Sequence, residues 1–234
     1  MSGSHVRAAN VLGALALTMA ERIAAAGEAA SGQSAAAPAA LSALHEYAGG
    51  SPVDTLRAIT GLTPSGTVRL VDRLEAAGLA QRGPGPDGRT LSVGLTAAGT
   101  AAAQRIRDAR AAALGEVLGV LDGEEAESLA DLAGRLLAGM TGGRADAWRI
   151  CRLCDPAACG HFDGRCPVTI AARAAETARA AEAARAAEAA RAAEPAGTAE
   201  PARSVEPAGT AQPARAGEPA GGSSPPAHLA GGAG

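Results

Sequence analysis

Aromatic side chains are almost absent. Tyr47, Trp148 and Phe162 are the only three in 234 residues, 1% of the chain. Aromatic rings dominate the energetics of ordinary cores, so their scarcity excludes a large aromatic core and leaves a small, aliphatic, helical one. Lysine is missing, and all 21 basic residues are arginine. Against 24 acids they leave a net charge of −3, which excludes a generally basic coat for nucleic acid but not a local basic face. No unbroken apolar run reaches the roughly 18–20 residues that cross a bilayer. The apolar stretch Leu12 to Leu17 is preceded by His5, Arg7 and Asn10 and followed by Glu21 and Arg22. A soluble, cytoplasmic chain with no membrane partner is expected. Cysteine is missing from the first 150 residues, and all four lie between Cys151 and Cys166. That excludes scattered structural disulfides and points to metal or redox chemistry.

What is abundant is Ala, Gly and Pro, most of all near the C-terminus. From Ala171 onward the only larger apolar residues are Val205 and Leu229. A hexad repeat begins at Glu176, as ETARAA, EAARAA, EAARAA, EPAGTA and onward. Its first units lack Pro and Gly, and Glu182 and Arg185 stand three apart, a spacing that lets them pair on a helix. Residues 171–193 are therefore expected to form a solvated Ala/Arg/Glu helix. From Glu194 a Pro recurs every six residues, so 194–234 is expected to be a disordered tail.

The rest reads as mainly α. Helical periodicity runs over His5–Gly27, with Leu12, Leu15, Met19 and Ile23 on one side. A Gly/Ser/Ala loop from Glu28 to Ala37 follows. Pro38 opens a second helix that Gly49-Gly50 ends, and Pro52 opens a short third that Gly61 stops. Thr63-Pro64 is an N-cap followed by proline at the first helical position, so a fourth helix runs to Ala77 with Gly78 as its C-cap. Within it Thr67, Leu70, Val71 and Leu74 share the inward face. Ser65, Val68, Arg69, Asp72 and Arg73 fall outside. The period then changes. Leu79–Arg82 is short and extended, Gly83–Gly88 is dense turn chemistry, and Thr90–Leu95 alternates, which together make a β-hairpin. Two helices follow, Thr96–Leu121 and about Glu124–Met140.

Two short helices joined by a tight turn and followed by a two-stranded ribbon make a winged helix-turn-helix. Leu62–Gly99 resembles the MarR family of bacterial transcriptional regulators. The motifs that carry the resemblance are RLVDRLEAAGL at Arg69–Leu79, Asp-Gly-Arg at Asp87–Arg89, and Leu-Thr-Ala-Ala-Gly at Leu95–Gly99. It extends over about residues 5–140, with flanking helices that in the family build a dimer. The resemblance implies a homodimer that binds double-stranded DNA at inverted repeats, one half-site per recognition helix. It also implies a small phenolic or other aromatic effector between the DNA-binding lobe and the dimer helices. The DNA-binding residues it marks are Ser65, Val68, Arg69 and Arg73 on the recognition helix and Asp87 and Arg89 on the wing. Arg69 suits guanine or a phosphate, and Arg89 suits the minor groove, braced by Asp87. Val68 stands where the family commonly has a small polar residue, and it suits a thymine methyl. The competing reading pairs Arg69 and Arg73 with Asp72 and Glu75 as a solvated surface. From Pro52 to Leu95 there are five Arg and four acids, so the attraction for phosphate is local.

A second constellation, WRICRLCDPAACGHFDGRCP at Trp148–Pro167, lies in an extension over 146–170 to which the family lends no roles. Cys151, Cys154, Cys159 and Cys166 follow C-x2-C-x4-C-x6-C, with His161 in the last gap. Their chemistry stays open at this point between a zinc site, an iron–sulfur cluster, a thiol–disulfide switch and inert buried thiols. The sequence contains no Ser/His/Asp set, phosphate loop or carboxylate pair at catalytic spacing, so an enzyme is not expected. The leading expectation is a regulator, a repressor rather than an activator, responding to redox or metal state through the cysteines. The alternative is a metal- or iron–sulfur-bearing redox protein.

Overall fold

A computed structural model describes residues 2–34, 36–85 and 90–193. The wing tip with Asp87 and Arg89, and the tail 194–234, lie outside the described residues. The chain divides into two units, Met1–Arg191 and Ala192–Gly234; of the second, only Ala192 and Ala193, the end of one helix, are described.

The order is α1 (Gly3–Ser31), α2 (Ala37–Glu46), β1 (Ser51–Pro52), α3 (Val53–Thr60), α4 (Pro64–Ala76), β2 (Ala80–Pro84), β3 (Leu91–Leu95), α5 (Ala97–Leu118), α6 (Gly123–Gly139), α7 (Arg144–Ile150) and α8 (Pro167–Ala193). The fold is mainly helical with a small antiparallel sheet in the order β1-β3-β2, a winged helix. The expected hairpin is β2 and β3, which pair from Ala80 opposite Leu95 to Pro84 opposite Leu91. It gains a third strand, because Ser51 and Pro52 pair with Val93 and Ser92. Pro52 thus ends a strand and caps α3 rather than starting the helix.

The core is aliphatic and lies where α2, α3, α4, β3 and α5 meet. Leu41, Leu56, Ile59, Leu70, Val71, Leu74 and Val93 have no exposed surface. At about 25 cal/mol per Å² of apolar surface removed from water, these side chains carry most of the lobe's stability. One corner explains the Leu-Thr-Ala-Ala-Gly motif. Thr96 caps α5, accepting the Gly99 N–H at 3.0 Å, and its hydroxyl donates to the Gly78 carbonyl at 2.6 Å. The Thr96 N–H donates to the Leu79 carbonyl at 3.1 Å. A Cβ at residue 99 would overlap that same carbonyl oxygen, so only glycine lets α5 start against the end of α4.

α1 runs past the expected stop at Gly27 to Ser31, with Gly32 as its left-handed C-cap. Gly27 is a packing glycine, where a Cβ would stand 3.1 Å from the ring of Pro38. By length and composition α1 is long and apolar enough to cross a membrane, a property that counting unbroken apolar runs does not reveal. In the fold it lies along α5, where Arg105 donates to the Ala30 carbonyl at 3.1 Å. Its outer face leaves Val6, Val11, Leu12 and Leu17 exposed, and α6 buries nothing, with Leu132, Leu136 and Met140 more than half exposed. α6 is nonetheless well started by a capping box between Asp122 and Glu125. α7, absent from the sequence reading, packs on α3. α8 begins at Pro167, four residues before the expected start of the repeat helix, and buries Val168 and Ala172.

Candidate nucleic-acid interface and cysteine pocket

α4 is set by its cap. Thr63 accepts the Gly66 N–H at 3.1 Å, and the Thr67 hydroxyl returns to the Thr63 carbonyl at 3.0 Å. This fixes the rotation of the helix. Thr67, Leu70, Val71 and Leu74 point into the core, and Ser65, Val68, Arg69 and Arg73 are exposed on the outer side. With Ala36, Leu62, Gly66 and Asp72, the two arginines line a shallow depression of about 440 Å³.

The acids of α4 are taken by a strand. Arg82, on β2, reaches Asp72 at 2.7 Å and also contacts the Glu75 carboxylate. The Arg82 backbone N–H donates to Glu75 at 2.7 Å. The pairing that would have made Arg69 and Arg73 an ordinary solvated surface is therefore not formed. Among the described residues neither arginine takes an ion pair.

The second site is a pocket of about 430 Å³ between the end of α2, α7 and the start of α8. All four cysteines line it, with Tyr47, Trp148, His161 and Phe162. Cys166 is buried, the other three are half-buried, and all are free thiols. Cys151 hydrogen-bonds Cys154 and Cys159 hydrogen-bonds Cys166, and all four lie near enough to act on one another's charge. Among the described residues no three or more of His, Cys, Asp and Glu are grouped so that they could hold one metal ion. Within each pair one sulfur is held toward thiolate and its partner toward thiol. The hydrogen bond from Cys151 pulls Cys154 down to about 7 against its own burial, with help from the charges of Arg110 and Arg152. Cys151 is pushed up by that same bond and then by burial. Burial pushes Cys159 up to about 11, with the nearby Cys166 adding to it. Burial also pushes Cys166 up, but the Thr169 hydroxyl and the backbone N–H groups of Thr169 and Val168 outweigh it and leave it lowered.

Besides the packing of Trp148 and Leu153 against the core, two contacts from α7 join the extension to the lobe. The Tyr47 hydroxyl donates to the Trp148 carbonyl at 3.2 Å. The phenol is pushed up by burial and then by Cys151 and Cys154, so it stays a donor. The Arg149 guanidinium lies over Gly61, the left-handed residue that turns α3 into α4. Neither Tyr47 nor Arg149 stood out as a site residue in sequence; the available signal was the rarity of aromatics, since all three line this pocket.

No family model and no curated protein matches the sequence. Solved structures do. A probable transcriptional regulator from Pseudomonas aeruginosa is 31% identical over 53% of this chain and 95% of that one, with a TM-score of 0.43. The chain is similar to transcriptional regulators of the MarR family. A MarR-family regulator from Silicibacter pomeroyi is 27% identical over 54% of this chain and 87% of its own, with a TM-score of 0.45. The fold is shared with RV1404 from Mycobacterium tuberculosis, 21% identical over 58% and 92%, with a TM-score of 0.50. These likenesses leave over two-fifths of this chain unmatched.

Proposed function

We propose that this chain is a homodimeric, DNA-binding repressor that reads inverted-repeat operators. The observation that carries the reading is the outer face of α4, where Arg69 and Arg73 stand beside Ser65 and Val68 with their nearby acids neutralised by Arg82. Arginines left without carboxylates are available to phosphate and to guanine edges. The unpartnered apolar faces of α1 and α6 support a two-fold dimer, which sets the two recognition helices one DNA turn apart. In this reading Asp87 and Arg89 carry the minor-groove contact of the wing. A small-molecule effector acts between the lobe and the dimer helices, and the cysteine pocket supplies a redox or metal input. Arg149 over Gly61 gives that input a physical route to the turn before the recognition helix.

The test is binding of the full chain to an operator selected from random duplex DNA, measured across salt concentrations. Arg69→Ala is expected to cost on the order of 1–3 kcal/mol. Arg89→Ala is expected to lower the slope of log affinity against log salt by about one ion. Arg82→Ala is expected to weaken binding without unfolding the lobe, because Asp72 and Glu75 then face the phosphates. Unchanged affinity in the Arg69 and Arg89 variants together would sink the reading.

A further inference from the structure

We propose that Arg149, on α7, is a phosphate contact of the DNA interface, so that the extension beyond the winged helix takes a direct part in binding duplex DNA. The proposal rests on the reading that the outer face of α4 meets DNA.

The seat of Arg149 is the turn between α3 and α4. A Cβ built on Gly61 would meet the guanidinium Cζ and Nη2 at 3.2 Å and Nη1 at 3.4 Å. Near-equal distances to three atoms of one plane mean that the face of the group, not its edge, rests on the glycine. Gly61 has φ +71°, where a side chain would be strained and would also lift the guanidinium away. The turn ends α3, and the C-terminal end of a helix attracts a cation. A guanidinium stacked in this way keeps its N–H donors in its own plane, free at the edges. Among the described residues the Arg149 guanidinium takes no ion pair and no hydrogen bond, although the residue is exposed.

The acids of the surrounding elements are engaged elsewhere. Asp54 on α3 pairs with Arg57 at 3.2 Å, and Arg82 takes Asp72 and Glu75 of α4. Asp146 on α7 accepts the Gly142 N–H at 2.9 Å. The positive charge at the turn is thus left for an outside anion. Its position is also set in advance. α7 packs on α3, and Trp148, the residue before Arg149, packs against the aliphatic core while its carbonyl accepts from Tyr47 at 3.2 Å. The Arg149 carbonyl accepts from the Arg152 guanidinium, which ties down the end of α7. Part of the side-chain freedom that a loose arginine gives up on binding is therefore already given up.

From this seat one surface leads to the recognition face. Gly61, Thr63, Pro64 and Ser65 are exposed, and so are Val68 and Arg69 one turn on. Gly61 and Ser65 are four residues apart, at most about 15 Å. With Ser65 and Arg69 over the bases of a major groove roughly 12 Å wide, Arg149 is placed for the backbone at the groove's edge. Two parallel N–H donors on two phosphate oxygens is a match that a guanidinium makes and an ammonium does not. A contact of this kind fixes the register of the protein on the duplex and carries no sequence information.

The experiment is binding of the full chain to its selected operator and to an unrelated duplex of equal length, across salt concentrations. Arg149→Gln keeps a planar group near Gly61 and removes the charge. It is expected to weaken binding to both duplexes by the same factor and to lower the slope of log affinity against log salt by about one ion. The advantage of the unaltered protein over this variant should then shrink about 3.5-fold as salt rises about fourfold. The unfolding midpoint should not move. Arg149→Lys keeps the charge and is expected to keep the slope while binding more weakly than arginine. Affinity lost at an unchanged slope would make Arg149 a brace of the turn and overturn the phosphate contact. Unchanged affinity in Arg149→Gln, beside weakened binding in Arg69→Ala, would overturn the contact and leave the reading of α4 standing. Failure of the unaltered protein to bind any duplex would overturn both.

Discussion

The winged-helix lobe and the cysteine extension solve the same problem with opposite materials. The lobe is fixed by fully buried aliphatic side chains on five elements, and its polar groups serve at caps, corners and ion pairs around that core. The extension has one short helix, α7, a run of turns, and four thiols where a core would be. Burial scales with the number of elements that can close around a side chain, and a 16-residue irregular segment cannot close around anything. The difference teaches that cysteine density marks the place where hydrophobic burial runs out.

The largest effect should come from the lobe. Leu74→Ala removes a side chain with no exposed surface from the middle of α4 and is expected to cost about 2–5 kcal/mol. Urea denaturation followed by circular dichroism measures it; a loss within error would mean that burial does not fix the lobe. Gly99→Ala comes next, since its Cβ must push the Leu79 carbonyl aside, and about 1–3 kcal/mol is expected. The same denaturation curve reads it, and a neutral result would show that the corner between α4 and α5 is loose. The smallest effect sharpens the comparison at the joint. Tyr47→Phe deletes the hydrogen bond to the Trp148 carbonyl and is expected to cost roughly 0.5–1.5 kcal/mol or less. It should raise the rate of proteolysis within 151–166 while leaving the unfolding midpoint of the lobe nearly unmoved. Equal change in both would show that the two regions melt as one.

The lobe was legible in the sequence because its signals are local. Thr63-Pro64 announces the start of α4, and the threes and fours of Thr67, Leu70, Val71 and Leu74 assign the buried face that the structure shows. What was illegible depends on partners far along the chain. β1 is two residues long and exists only because β3 offers it a register. α7 has seven residues, too few for a period to show. Gly27 looks like a helix stop, yet it is there so that Pro38 can approach. The side-chain partners of Asp72 and Glu75 looked like Arg69 and Arg73 along the helix. The strand register that delivers Arg82 to them cannot be read from spacing. The cysteines were visible as a group, but the pocket they share with Tyr47 and Trp148 was not.

The Arg82 clamp also has a consequence for how an encounter begins. A chain of net charge −3 repels a polyanion at long range, and the first productive collisions depend on the small patch where that repulsion is lifted. By drawing both carboxylates of α4 onto β2, the clamp makes the outer face of that helix such a patch, felt by a phosphate only within roughly 8 Å at physiological salt. Loss of Arg82 should then appear mainly as a slower association rate, steeply restored by lowering the salt, with little change in how long a formed complex lasts.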